Sequence, residues 1–200
     1  MFTPNEYGLF SMPTLETPRL ILRRMTMKDA KDIFEYSRDE EVACHVLWSA
    51  QRDIGEAKDY CRYMLRRYRA DEPSSWGIID RQTRHLVGTI GYMDYSMDNA
   101  SVEIGYSLAR WLWNGGYMTE ALRAMVQNTF EVMNVEVVAI SHFVGNEPSR
   151  KVIERAGFIF EGVMPCGFKR FDGEVFDNVC YSILRSEYDT GLISPVRRMR

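Results

Sequence analysis

Apolar and polar positions change period several times along this chain, and each change marks an element. Residues 19–24 set Leu20, Ile21 and Leu22 between arginines and predict a first strand. Thr26 and Asp29 then stand at capping-box spacing ahead of Ala30, Ile33 and Phe34, so a helix follows. Asp53 and Glu56 repeat that start before Ile54, Ala57, Cys61, Met64, Leu65 and Tyr68, a second helix. The period then shortens. Residues 76–79, 86–92 and Ser101–Leu108 are short, rich in β-branched or aromatic side chains and parted by polar turns, which predicts an antiparallel meander.

From about 116 to 133 the helical period returns, with Met118, Leu122, Met125, Val126 and Phe130 on one stripe. Residues 136–141 predict a strand. Residues 148–156 predict a short helix, with Pro148 at its first position and Gly157 just past its end. Strands resume at Phe158 and close with Val175–Leu184. The order βααβββαβαββ describes an α+β domain (α/β in some schemes). Its sheet is mixed, mostly antiparallel and twisted, with six to seven strands and about four flanking helices.

Between the third meander strand and the next helix lie Asn114, Gly115, Gly116, Tyr117, Met118 and Thr119. A helix start presents unpaired N–H groups and partial positive charge, and a glycine turn lets an anion come close to them. The GxxxxGK[ST] spacing with its lysine is absent, as is GxGxxG, which argues against ATP and NAD. Alone, the two glycines specify no more than a turn able to hold an anion. Their context is more specific. Glu103, Ile104, Gly105, Tyr106, Ser107 and Leu108, followed by Trp113 and the segment 114–122, closely resemble the acyl-CoA motif of the Rim-type branch of the GNAT acetyltransferases. Residues 14–23 resemble that family's opening strand, and Asn146, Ser149, Val152, Glu154, Ala156, Gly157 and Phe158 resemble its second motif. The resemblance spans residues 14–188.

It implies the GNAT fold and an N-acetyltransferase that takes acetyl-CoA as cosubstrate and uses no metal. The acceptor it implies is a primary amine, either a protein N-terminal α-amine or a small-molecule amine, attacking directly in a ternary complex. The implied donor contacts are Tyr106, Leu108, Asn114, Gly115, Gly116, Tyr117, Met118, Thr119 and Asn146, with a backbone N–H near Leu108 polarising the thioester carbonyl. Asn114 replaces a usual glycine, Met118 a usual small residue and Arg110 a common proline; Trp113 stands where the pattern has Gln or Arg. Asn tolerates left-handed backbone angles, so the turn survives at Asn114. Met118 must point into the core to leave the phosphate path clear.

Alternation along Ser101–Leu108 puts Val102, Ile104, Tyr106 and Leu108 on one face and Ser101, Glu103, Gly105 and Ser107 on the other. Glu103 reads either as a solvated or paired strand carboxylate or as a general base, the role the resemblance implies. Many GNAT enzymes protonate the departing thiolate with a tyrosine where this chain has Ile153. The Rim-type resemblance points instead to Ser149, which local rules also read as a first-turn serine bonding its own backbone. Asn146 reads as a pantetheine contact by resemblance and as a helix N-cap by local rules. His142 and Cys166 raise an acyl-enzyme route, but Cys166 has no evident activating neighbour and the family transfers directly. A second reading, prompted by Asn114, Met118 and Ile153, is an acyl-CoA-binding sensor module with little or no turnover.

Composition narrows the partners. In 200 residues, 46% are hydrophobic and 12% aromatic, enough for one substantial core. A formal charge of −3 provides no basic field for DNA. Cys44, Cys61, Cys166 and Cys180 have no CxxC spacing, no apolar run is long enough to cross a membrane, and no signal-peptide pattern opens the chain. Free thiols, a cytoplasmic location and a monomer or homodimer are expected. Only the ends look separable from the body: an arm over 1–13, then one domain over 14–190, then a tail over 191–200 with Arg197, Arg198 and Arg200.

Overall fold

The computed structural model describes residues 9–190, so the 191–200 tail lies outside the described residues. The opening strand is divided into β1, Leu15–Glu16, and β2, Leu20–Arg24. Pro18 has no N–H to offer a ladder, and Thr17 turns the chain by donating its N–H and hydroxyl to the Leu20 carbonyl at 3.0 and 3.2 Å. Thr26 makes the expected capping box with Asp29, and one 3-10 turn leads into α1, Ala30–Ser37. A four-residue helix that the pattern did not predict, α2, Glu40–Ala43, comes next. Then α3, Ile54–Ala70, starts where Asp53 accepts the Gly55 and Glu56 N–H groups.

The meander is β3, Ser75–Asp80, β4, Leu86–Ser96, and β5, Ser101–Leu108. After it come α4, Tyr117–Val132, β6, Val137–Phe143, and α5, Glu147–Ala156, closed by Gly157 at φ 103°. The chain continues with β7, Ile159–Lys169, β8, Val175–Leu184, and a five-residue α6, Arg185–Asp189. Among the described residues one sheet holds every strand in the order β1-β2-β3-β4-β5-β6-β8-β7, antiparallel except for β5 beside β6. This is the mixed sheet expected. It has eight strands because the two-residue β1 counts separately.

Neighbouring residues of β5 identify the layers. Ser107 lies 3.4 Å from the Tyr36 hydroxyl of α1, whereas Tyr106 lies 2.7 Å from the Ser149 hydroxyl of α5, so α1 and α5 cover opposite faces. Leu20, Leu22, Trp76, Ile90, Leu122 and Ile140 pack the core between these layers.

The described end of the arm has no strand or helix, yet it is bound rather than free. Phe10 and Met12 are 6% and 3% exposed, and the Phe10 ring packs edge-on to Tyr92 and Tyr95. The Asp71 carboxylate accepts the N–H groups of Leu9 and Phe10 at 2.8 and 2.9 Å.

The start of α1 rests on a partly buried ion pair, Arg23 to Asp29 at 2.7 Å. Burial raises the Asp29 pKa, while the hydrogen bonds from Arg23 and the Thr26 N–H lower it, and the net shift is downward. The pair therefore stabilises the fold above the unfolded carboxyl value, about 3.9, and that contribution is lost as pH falls through the lower folded value. Asp29→Asn leaves Arg23 without its charge partner. It should cost about 2 kcal/mol or more at neutral pH and flatten the acid limb of a thermal-melt profile.

Candidate functional site

The parallel ladder between β5 and β6 runs from Ser101↔Val137 to Ile104↔Ile140 and stops there. Beyond Ile104 the two strands form an open fork. Ala109 donates to the Val87 carbonyl at 2.8 Å, and antiparallel hydrogen bonds alternate. Tyr106 and Leu108, paired with Ile90 and Gly88, therefore turn their backbone groups away from β4 and toward the fork. Trp113 takes the Leu108 carbonyl through its indole N–H at 2.8 Å. The Leu108 N–H is thus aimed where no strand pairs, and the turn after β5 is tied back to the strand by Trp113.

That turn leads into α4. Asn114 has φ 60° and Gly116 φ 75°, so the left-handed angle expected of the departing asparagine is present. Gly116 is the N-cap of α4, and no side chain caps it. The first N–H groups of the helix therefore face outward, as an anion seat requires. A Cβ at Gly116 would meet only the Arg19 Nη2, at 3.5 Å, so the approach is open. Met118 is 3% exposed and packs into the core, as a clear phosphate path demands.

A clasp fixes this end of α4. Arg19 donates to the Gly115 carbonyl at 2.8 Å, lies 4.1 Å over the Tyr117 ring and pairs with Glu120 at 2.6 Å. Glu120 also accepts the Thr17 hydroxyl at 2.6 Å. Arg19 offsets the Glu120 charge, which would otherwise oppose an anion in the first turn.

The fork and the α4 start open into one cleft. It brings together Tyr106, Leu108, Asn114, Gly116, Tyr117, Met118, Thr119, Asn146 and Ser149, all singled out in the sequence. Asn146 is 6% exposed and accepts the Ser149 N–H at 3.2 Å, so it caps α5 while lining the cleft. Ser149 and Tyr106 share a 2.7 Å hydroxyl contact. Burial raises the Tyr106 pKa, opposed in part by Ser149. The phenol therefore stays protonated at neutral pH.

Glu103 does not line this cleft. It sits one residue before the fork opens, on the opposite face of β5 from Tyr106, and its Oε1 accepts the Ser141 hydroxyl at 2.9 Å across the base of the fork. His142 and Cys166 are not joined. His142 contacts the Phe143 carbonyl through Nδ1 at 2.9 Å and stacks on Tyr181, while the Cys166 N–H donates to Asp177.

Several cleft residues were not singled out in the sequence. Lys151 and Arg155 line it from α5 at i,i+4 spacing, a signal helical periodicity could have revealed. His45 lines it from the segment after α2, where no periodic pattern marks it. Arg19, Arg123 and Arg155 border a second recess that shares Gly116 and Thr119 with the cleft, which gives the α4 start a cationic surround. Among the described residues no helix is long and apolar enough to cross a membrane, and no group of three His, Cys, Asp or Glu side chains is arranged to hold a metal ion.

Comparison with known proteins agrees with this geometry. The family described as "Acetyltransferase (GNAT) domain" matches residues 19–159. The chain is 30% identical over 173 residues to "Uncharacterized N-acetyltransferase YoaA" of Bacillus subtilis (strain 168), covering 86% of this chain and 97% of that one. It is 28% identical over 177 residues to "Uncharacterized N-acetyltransferase p20" of Bacillus licheniformis, covering 88% and 99%. The crystal structure of an acetyltransferase (GNAT family) from Bacillus anthracis aligns with TM-score 0.77 at 23% identity, over 88% of this chain and 100% of that one.

Proposed function

The chain belongs to the GNAT acetyltransferase family and is an acyl-CoA-dependent N-acetyltransferase; we propose that it moves acetyl from acetyl-CoA to a primary amine by direct attack in a ternary complex. The proposed catalytic unit is the single domain 14–190, and the acceptor is a protein N-terminal α-amine or a small amine. The observation that carries the reading is the meeting, in one cleft, of the β5–β6 fork and the uncapped start of α4.

Each residue has a chemical task. The N–H groups at the start of α4 hold the pyrophosphate, with Arg19, Arg123 and Arg155 adding positive charge around them. The outward backbone edge of Tyr106 and Leu108 pairs with the amide-bearing pantetheine arm as a missing strand would. Leu108 N–H stabilises the charge that develops on the carbonyl oxygen. Glu103 accepts the ammonium proton, directly or through water, so that a neutral amine attacks. Ser149, backed by Tyr106, donates a proton to the departing sulfur.

The donor group is tested by Ser149→Ala, which should lower kcat by about 10- to 100-fold with little change in acetyl-CoA affinity. Tyr106→Phe, which leaves the Ser149 hydroxyl in place, should cost less. An unchanged kcat in Ser149→Ala assigns the protonation elsewhere. Direct attack is tested by initial rates with both substrates varied: intersecting lines are expected. Parallel lines with an acetylated cysteine would replace direct attack by an acyl-enzyme.

A further inference from the structure

One ring spans the mouth of the fork. The His45 imidazole lies 5.7 Å from the Trp113 ring, just beyond β5, and 5.9 Å from the ring of Phe143, the last residue of β6. Those aromatics belong to the two diverging sides, so His45 sits across the opening, and it lines the cleft together with Leu108. Its Nδ1 is shut away from solvent without a hydrogen-bond partner, which leaves Nε2 as the nitrogen able to meet a substrate. The ring packs against Trp113 and Phe143, but those apolar contacts offer its Nδ1 no hydrogen-bond partner. A buried polar group without a partner is a cost that packing alone does not justify.

The reaction proposed above leaves one demand unfilled at this spot. An ammonium acceptor loses two protons on becoming an amide. The first must leave before attack and falls to Glu103, at the base of the fork. The second leaves the nitrogen after the C–N bond forms, at the mouth. We infer that His45 is a further catalytic residue of this transfer, accepting that second proton from the acceptor nitrogen. The inference rests on the amine-transfer reading above.

The amine nitrogen bonds to the carbonyl carbon, the C–S bond breaks, and its electron pair leaves on sulfur. One nitrogen proton goes to the Glu103 carboxylate and one to the neutral His45 ring. The Ser149 hydroxyl proton goes to sulfur, and Ser149 is reprotonated by the His45 imidazolium through cleft water. Glu103 returns its proton to solvent, so the products are an amide, a thiol and one released proton.

Burial lowers the His45 pKa and Glu41 opposes that shift, the net being downward, which keeps the ring neutral and able to accept at neutral pH. Glu41, on α2, is the charged group acting on it; the residues that face it from β6 and from the turn after β5, Phe143 and Trp113, do not titrate.

The test is His45→Gln assayed beside wild type with a primary amine. The variant should lose about 100-fold in kcat, while its acetyl-CoA Kd stays within about twofold. Wild-type kcat should rise with pH through the histidine range, about pH 5 to 7, and that limb should vanish in the variant. A variant as fast as wild type, or a slower one that keeps the limb, overturns the role of His45. Should the variant fail to fold, the wild-type profile still decides: a kcat flat across that range overturns the role. Wild type that acetylates no amine overturns the transfer reading itself, and His45 with it. An active wild type beside an equally active variant overturns His45 alone.

Discussion

Gly116→Val should weaken acetyl-CoA binding by about 100-fold or more, equivalent to about 2.7 kcal/mol, and leave a folded protein. Two effects combine. Gly116 sits at φ 75°, where a non-glycine residue costs about 1–2 kcal/mol and a β-branched one more. The space around it is open, with only the Arg19 guanidinium within reach of an added Cβ. The new side chain therefore clashes with little protein, and it projects into the space an incoming phosphate needs. Any shift of the cap also turns the first N–H groups of α4, each worth about 1.5–3 kcal/mol to a charged partner. Calorimetric titration with acetyl-CoA reads the effect directly, and the apo melting temperature reads the strain alone.

Asn114→Gly is the matching control, because Asn114 already occupies a left-handed angle that glycine accepts freely. It should bind acetyl-CoA as well as wild type. Equal affinity in Gly116→Val and wild type would move the pyrophosphate away from the start of α4.

Glu103→Gln should lower kcat by about 10²- to 10⁴-fold while the acetyl-CoA Kd hardly moves. The separation of effects follows from position. Glu103 lies on the face of β5 opposite Tyr106, outside the cleft that holds the α4 start, so donor binding does not use it. Glutamine keeps the size of the side chain and can still accept the 2.9 Å hydrogen bond from Ser141. The substitution therefore removes the charge and the proton acceptor and little else. An amine supplied already neutral, at higher pH, should recover part of the lost rate in the variant. Full turnover in Glu103→Gln would reduce this carboxylate to a bridge across the base of the fork.

Local chemistry made much of this legible in the sequence. Thr26, Asp53 and Gly157 mark helix ends through caps that act within a few residues, and each does so in the fold. Asn114 was readable for the same reason, since its backbone angle follows from its own side chain. The fork was not readable. It exists because the parallel ladder ends at Ile104↔Ile140, a matter of how β6 diverges after α4. Phe10 and Met12 looked like part of a loose arm because their partners, Tyr92 and Tyr95 among them, lie far along the chain. His45 carries no sequence signal, because α2 just before it is too short to set a period. The pairing of Tyr106 with Ser149 needed α5 laid over the end of β5, which spacing within either element does not specify.

Acetyl transfer to an amine leaves a mass change on the acceptor, which mass spectrometry of the products reads. The protein would be incubated with acetyl-CoA and a panel of small primary amines and peptides, with each peptide also supplied blocked at its N-terminus. The expected products are acceptors heavier by one acetyl group, formed in step with free CoA and lost in the blocked peptides when the α-amine is the target. Tight acetyl-CoA binding with no acetylated product across the panel would contradict it and favour a protein that binds the donor without turning it over.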